Sequence, residues 1–330
     1  MRAPAFWDDP PDRPGLRARL LAPLGRLYAS ATAARLRAGT STDVGVPVIC
    51  VGNLNAGGTG KTPTVIALAQ RLAVRGIDAH IISRGYGGSL TGPDRIAEAT
   101  HSAAEAGDEP LLLSAFAPVW VAKDRAAGAR AAVAAGAQAI LLDDGFQDPA
   151  LRKALSIVVV DAARGFGNGL CIPAGPLREP VATGLARADL VLSIGNTDDQ
   201  VAFTRRWQQA VAHRHLTGRL EPLRTGMDWQ GLRTLAFAGI AHPEKFFATL
   251  RALGADILRA EALDDHQPLT PALILRLEAE AKALGAQLVT TEKDAVRLPP
   301  EARRKVLSLP VRLQWDDDGA LDRALAGIGV

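Results

Sequence analysis

The chain lacks most of the devices that hold or anchor a protein from outside its own core. Its 330 residues include only two cysteines, Cys50 and Cys171, far apart and in no metal-ligand spacing. Two such cysteines build no disulfide framework, which favours a reducing cytosol, and Cys50 is expected as a small core residue. No apolar run is long enough to cross a bilayer, and no cleavable leader is evident. A net charge of +3 is too small to mark a nucleic-acid binder. Repeats and low-complexity tracts are also lacking. What is present is ordinary for a folded protein, 48% apolar and 22% charged residues, with room for two domains.

The most informative stretch is VPVICVGNLNAGGTGKTPT, residues 46–64. A β-branched run meets a glycine cluster, then Lys61-Thr62, then an apolar-periodic segment. Strand, glycine-rich loop and helix in that order are what a phosphate-binding P-loop requires. Backbone N–H groups of Asn55, Ala56, Gly57, Gly58, Thr59 and Gly60, with the helix N-terminus, would cradle phosphate oxygens. Lys61 would reach the outer phosphates, and the Thr62 hydroxyl would help hold Mg²⁺. The strict pattern has glycine where this chain has Asn55. Asparagine is expected to save the turn by accepting a positive φ.

Upstream, residues 15–39 carry Leu16, Leu20, Leu24, Leu27, Tyr28 and Ala31 on one helical face. Arg17, Arg19, Arg26, Arg35 and Arg37 lie between them, without an acidic residue. Either the helix lies in an anionic headgroup layer or it packs its leucines on the domain. Pro23 is expected to kink it or to start a second helix.

Downstream, apolar runs alternate with helical segments, the pattern of a doubly wound parallel sheet. Strand 78–83 ends in Arg84-Gly-Tyr86, and Gly107-Asp108-Glu109-Pro110 opens a helix. Arg125 lies near the start of another, and the run 139–142 ends in Asp143-Asp144-Gly-Phe-Gln147. An apolar strand delivering a carboxylate beside a P-loop suits a Mg²⁺ site, here Thr62 with Asp143 and Asp144. Locally, Asp108 is as consistent with a helix-start charge as with a base for a substrate hydroxyl. Residues 165–180, with Arg178 and Glu179, form a long Gly/Pro-rich loop, which in a compact domain is either functional or disordered. From about residue 213 a second, smaller α/β unit begins. Thr270 caps a helix opened by Pro271, and residues 309–313 are expected to pair with the connector near His215 and close that unit. An Asp-His pair at 265–266 is ambiguous by itself.

Taken in order, GNLNAGGTGKTP, SRGYGG, GDEP, DDGFQ, PAGPLREP, AGIAHPEKFF, DDH and TTEKDAVRL resemble the tetraacyldisaccharide 4′-kinase (lipid A 4′-kinase) family, over residues 51–298. The resemblance implies an α/β fold: a P-loop NTPase-like doubly wound sheet plus a smaller α/β domain, joined by a short two-stranded connector. Its expected divisions are 1–42 (a basic membrane-docking helix), 43–213 (the kinase domain) and 214–330 (the smaller domain). It also implies transfer of the ATP γ-phosphate, with Mg²⁺, to the 4′-hydroxyl of a tetraacylated glucosamine disaccharide 1-phosphate. The site would be peripheral, on the cytoplasmic face of a Gram-negative inner membrane. No nucleic acid and no obligatory protein partner is implied. By motif, Asp108 corresponds to the catalytic carboxylate and His266 to its partner from the other domain. Arg84, Tyr86, Glu109, Arg125, Gln147, Arg178 and Glu179 become candidates for substrate or transition-state contact. Gln267 stands where the family often has a second histidine.

Two other readings compete. A switch ATPase of the partitioning or metal-chaperone kind needs a lysine before the Gly-Gly, where this chain has Ala56. A soluble small-molecule kinase leaves the arginine-rich N-terminus unused.

Overall fold

Two parallel sheets, one large and one small, face each other across a cleft in the structure, a computed structural model that describes residues 3–211 and 214–330. The strands are β1 (Val48–Gly52), β2 (Ala79–Ser83), β3 (Asp94–Ile96), β4 (Val119–Val121), β5 (Ala139–Asp143), β6 (Leu155–Asp161), β7 (Leu190–Ile194) and β8 (His215–Pro222). They continue with β9 (Arg233–Ala238), β10 (Asp256–Ala262), β11 (Gln287–Thr291), β12 (Val306–Leu309) and β13 (Val311–Trp315). The large sheet has the order β13-β8-β7-β6-β1-β5-β2-β4-β3, antiparallel only at its two edges, and the small one the order β10-β9-β11-β12.

The all-apolar strands are explained by helices on both faces. In β1, Ile49 and Val51 pack with Val65, Leu68 and Leu72 of the helix Lys61–Val74. Val48 and Cys50 pack on the other face with Ala126 and Ala129 of the helix Arg125–Ala134. That layering puts β1 between β5 and β6, with the P-loop at the carboxyl ends of the parallel strands, where open α/β sheets bind ligands.

The helix Leu16–Ala38 is one continuous helix with Pro23 inside it. It buries the narrow stripe Ala18, Gly25 and Thr32, while Leu16, Leu20, Leu24 and Leu27 face solvent. A Cβ at Gly25 would lie 2.7 Å from the Cys171 carbonyl oxygen, so this close seating depends on small residues. The leucine face therefore does not pack on the domain.

The expected boundary at residue 213 lies outside the described residues. β13 pairs antiparallel with β8 as the expected connector, but the pair extends the edge of the large sheet rather than closing the small one. The following helix, Gly319–Gly327, returns to the large sheet as well. Leu321 and Leu325 join its core, and Asp322 pairs with Arg71 (2.5 Å) and Arg75 of the P-loop helix.

Candidate active site

The P-loop is shaped by residues that only its tertiary setting explains. Gly57 and Gly60 take φ of 114° and 96°, and a Cβ at Gly60 would lie 2.6 Å from Ile194 Cδ1. Asn53 Nδ2 donates to the Gly57 carbonyl and to Thr59 Oγ1, each at 3.1 Å, which holds the loop from inside. Asn55 does not take the expected left-handed turn: among the described residues, the non-glycine positions with positive φ are Asp144 and His266. Asn55 is instead buried and donates through Nδ2 to the Gly165 carbonyl (3.1 Å). The Ala56 N–H donates to the Pro176 carbonyl at 2.7 Å, so it is already engaged. The cleft lining accordingly begins at Gly57 and runs through Gly58, Thr59, Gly60, Lys61 and Thr62. The Gly/Pro-rich segment 165–180 proves to be an ordered strap that fastens this loop.

Beside the loop lies an acidic pair with two different environments. Asp144 lies 3.8 Å from Lys61 Nζ and accepts from Arg178 Nη1 and Nη2 at 3.0 and 3.3 Å. Burial pushes its carboxyl up, but Lys61 and Arg178 overcome this and hold it below the usual range. Asp143 is buried, and its Oδ1 has no hydrogen-bond partner. Burial, then the nearby Glu109 and Asp144 charges, push it up to about 7. A buried, unsatisfied carboxylate oxygen next to Lys61-Thr62 fits a hard divalent cation. Among the described residues no group of three His, Cys, Asp or Glu makes a closed metal cage. An ion here would complete its shell from phosphate oxygens and water.

The second cluster spans the two sheets. Asp108, at the start of the helix Asp108–Leu113, is 3% exposed, and its Oδ2 lies 3.0 Å from His266 Nδ1. Asp108 Oδ1 accepts from the Glu109 N–H (3.0 Å). Lys293 Nζ donates to Glu109 Oε1 (3.0 Å) and lies 3.4 Å from His266 Nε2. The Tyr86 ring meets His266 edge-on at 5.7 Å. Burial raises the Asp108 carboxyl, but the His266 hydrogen bond and the Lys293 charge bring it below its ordinary value. The same hydrogen bond raises His266. The arrangement is a hydrogen-bonded carboxylate–imidazole pair beside the P-loop, each partner favouring the charged form of the other.

Members of both clusters line one cleft of about 1420 Å³, Glu109, Lys293 and His266 among them, while Asp108 itself is buried and does not line it. Arg84, Tyr86, Glu109, Arg125, Gln147 and Arg178 line it together with the P-loop, Asp143, Asp144 and His266. Arg125 is buried, donating to Asp148 Oδ2 (2.5 Å) and to the Asp144 carbonyl (3.0 Å). Glu179 behaves differently. It is buried and engaged by Arg187 at 2.6 Å and by Gln147 Nε2 at 3.0 Å, so its oxygens buttress Gln147 and do not face the cleft. Tyr28, Thr32 and Arg35 of the first helix border the same cleft. Sequence reasoning missed Lys293 and Arg297 of TTEKDAVRL, and the pair Lys245–Asp161. The motif had been noticed, but nothing local says which side of the cleft a lysine after a strand will meet.

Known proteins resemble this chain over nearly its whole length. The family model described as tetraacyldisaccharide-1-P 4′-kinase, LpxK, matches residues 17–328. A tetraacyldisaccharide 4′-kinase from Dinoroseobacter shibae is 66% identical over 326 residues, covering 98% of this chain and 97% of that one. One from Jannaschia sp. is 62% identical, covering 98% of each. The solved "apo" form of LpxK from Aquifex aeolicus, in complex with ATP, superposes with a TM-score of 0.74 at 25% identity, covering 96% of this chain and all of that one (100%).

Proposed function

The chain belongs to the tetraacyldisaccharide-1-P 4′-kinase family and is a kinase, and we propose that it transfers the γ-phosphoryl group of ATP to the 4′-hydroxyl of a tetraacylated glucosamine disaccharide 1-phosphate in lipid A biosynthesis. The observation that carries the residue assignment is the 3.0 Å contact between Asp108 and His266 across the cleft that the P-loop enters.

Phosphoryl transfer through a loose transition state asks for positioning and charge neutralisation more than for covalent help. The amides from Gly57 to Gly60 and the Lys61 ammonium bind the phosphates. Asp144 aligns Lys61 and Arg178, whose guanidinium faces charge developing on the transferred group, while Arg125 braces the Asp144 backbone from behind. Thr62 and Asp143 would hold Mg²⁺, which supplies further neutralisation of the phosphate oxygens. Asp108 accepts the proton of the attacking hydroxyl as the new O–P bond forms and the bond to ADP breaks. His266 keeps that carboxylate ionised and aimed, and Glu109 with Lys293 completes the acceptor side.

The division proposed is a docking helix at 1–42, a kinase domain at 43–213 and a smaller domain at 214–330 whose last helix returns to the kinase domain. A four-chain acceptor stays in its bilayer, so the enzyme must come to it. The exposed Leu16, Leu20, Leu24 and Leu27, flanked by arginines, suit an interfacial helix on an anionic surface. No helix among the described residues is long and apolar enough to cross a membrane. The surface proposed is the cytoplasmic face of the inner membrane.

The test is ³²P transfer from ATP to the acylated disaccharide in detergent micelles, wild type against Asp108→Ala. Mg²⁺-dependent transfer that falls by roughly 10²–10⁴-fold in the variant is expected. An unimpaired variant would return Asp108 to a helix-start role.

A further inference from the structure

We propose that Arg297 is a positioning residue of the transfer site, which fastens the loop carrying His266 and offers its Nε–H to the Asp108 carboxylate. The proposal rests on the reading of Asp108 and His266 as the catalytic pair.

Arg297 follows the short helix Glu292–Ala295, and its side chain is 9% exposed. Its two Nη atoms reach backbone around His266, and Nη2 also pairs with the Asp294 carboxylate. Nη1 donates to the Gln267 carbonyl at 2.9 Å and Nη2 to the Gly239 carbonyl at 3.2 Å. The Gly239 carbonyl also accepts the N–H of His266 itself, at 3.1 Å. One guanidinium therefore grips the carbonyl after His266 and the carbonyl under its amide. His266 needs that grip, because its φ of 58° lies in the left-handed region that side-chain-bearing residues disfavour. The fork geometry of arginine suits two carbonyls at once in a way a lysine ammonium does not. Position 239 leaves the room: a Cβ there would come within 2.8 Å of Arg297 Nη2.

The third nitrogen is the informative one. Nε is buried without a hydrogen-bond partner and lies 3.9 Å from Asp108 Oδ2. Buried N–H groups are rarely left unpaired, and a reorientation of the Asp108 carboxylate that brings an oxygen about 1 Å nearer would turn this approach into a charge-assisted hydrogen bond. The groups facing Asp108 are His266, Lys293 and Arg297 as cations and the adjacent Glu109 as an anion. Asp265 lies 3.8 Å from His266 Nε2, and Asp294 accompanies Arg297. The Arg297 charge is one of those that lower the Asp108 carboxyl, against the burial that raises it. A purely structural role, the buried pair with Asp294 supporting the small sheet, would not touch that titration.

The experiment compares full-length Arg297→Lys, the charge-neutral double variant Arg297→Met/Asp294→Asn, Asp108→Ala, and each Arg297 variant combined with Asp108→Ala. All are assayed with ATP, Mg²⁺ and acylated disaccharide. The double variant is expected to lose roughly 10- to 100-fold in kcat, the usual range for a supporting group, with KM for ATP within about twofold of wild type. The acid limb of its kcat/KM profile moves to higher pH. Arg297→Lys recovers part of the rate and leaves the limb in place. Neither change costs anything further once Asp108 is alanine. If thermal melting shows the double variant unfolded, Arg297→Lys decides. A reduced kcat that vanishes in the Asp108→Ala background supports the proposal, and a wild-type kcat overturns it. A crippled Asp108→Ala beside Arg297 variants with full rate, a double variant with an unmoved limb, or fully additive losses overturns the proposal alone. A fully active Asp108→Ala overturns the reading beneath it.

Discussion

Lys245 Nζ, on the helix Pro243–Ala252 of the small sheet, lies 2.7 Å from Asp161 Oδ2 at the carboxyl end of β6 in the large one. With Asp108–His266 and Glu109–Lys293 it makes a further polar bridge over the cleft. Nearby, a Cβ at Gly58 would lie 3.6 Å from Ala241 Cβ, so the two bodies approach closely at the P-loop. Lys245 is more than half exposed, so the pair adds little to global stability, below about 1 kcal/mol. Its effect belongs to closure. Lys245→Ala should raise KM for ATP several-fold and enlarge the radius of gyration by small-angle scattering, with little change in melting temperature. Equal KM and equal scattering would remove the bridge from the mechanism.

The Asp108–His266 pair predicts a pH window for stability. Asp108 has a lowered carboxyl pKa, so its contribution is present above the unfolded value and disappears as pH falls through the lowered one. His266 is raised, so its contribution is full below the unfolded value and is lost as pH rises through the raised one. Between those limits both charges are present. The melting-temperature difference between wild type and His266→Gln should therefore be largest near about pH 5–6 and shrink by about pH 9. A difference that is flat with pH would mean that the contact is not an ion pair in solution.

Asp143 predicts proton-linked Mg²⁺ binding. The native carboxyl keeps its proton up to about 7 against an ordinary value of 3.8, so metal must displace it at lower pH. The Mg²⁺ concentration for half-maximal rate should rise by up to about tenfold per pH unit below that point. The sign for metal-free stability is the reverse of the usual carboxylate case. The native state holds more protons than the unfolded state between 3.8 and about 7, so stability falls as pH rises through that window. Asp143→Asn should flatten that fall and lose Mg²⁺-dependent transfer; calorimetry and the transfer assay read the two effects separately.

The first helix predicts separable membrane binding. Leu20→Glu with Leu24→Glu and Leu27→Glu alters side chains that touch no core, so folding should be unaffected. Co-sedimentation with anionic vesicles should drop at least about tenfold, since each leucine withdrawn from the interface forfeits apolar burial. Salt should weaken the wild-type interaction through the arginines. Unchanged vesicle binding would place the docking surface elsewhere.

Local chemistry carried much of this protein in its sequence. Period and turn residues marked the parallel strands, because strands buried on both faces must be apolar throughout. Gly57, Gly60 and Lys61-Thr62 marked the phosphate loop, because that geometry tolerates few alternatives. Thr270 does cap its helix, accepting from the Leu273 N–H (3.3 Å). The ordered series of motifs identified the family. Only the tertiary structure decided what these pieces meet. Asp108 and His266 are 158 residues apart, and nothing within a turn of either distinguishes a catalytic contact from a helix-start charge. Asn55 was legible as a tolerated turn residue, yet it is a buried anchor to Gly165. The first helix showed its leucine stripe plainly, but the seat against Cys171 selected the Ala18–Gly25–Thr32 face instead. Lys293 and Arg297 stayed silent for the same reason. Backbone preference is set within a few residues, whereas the partner of a charge is set by strand order and by which crossover brings it to the cleft.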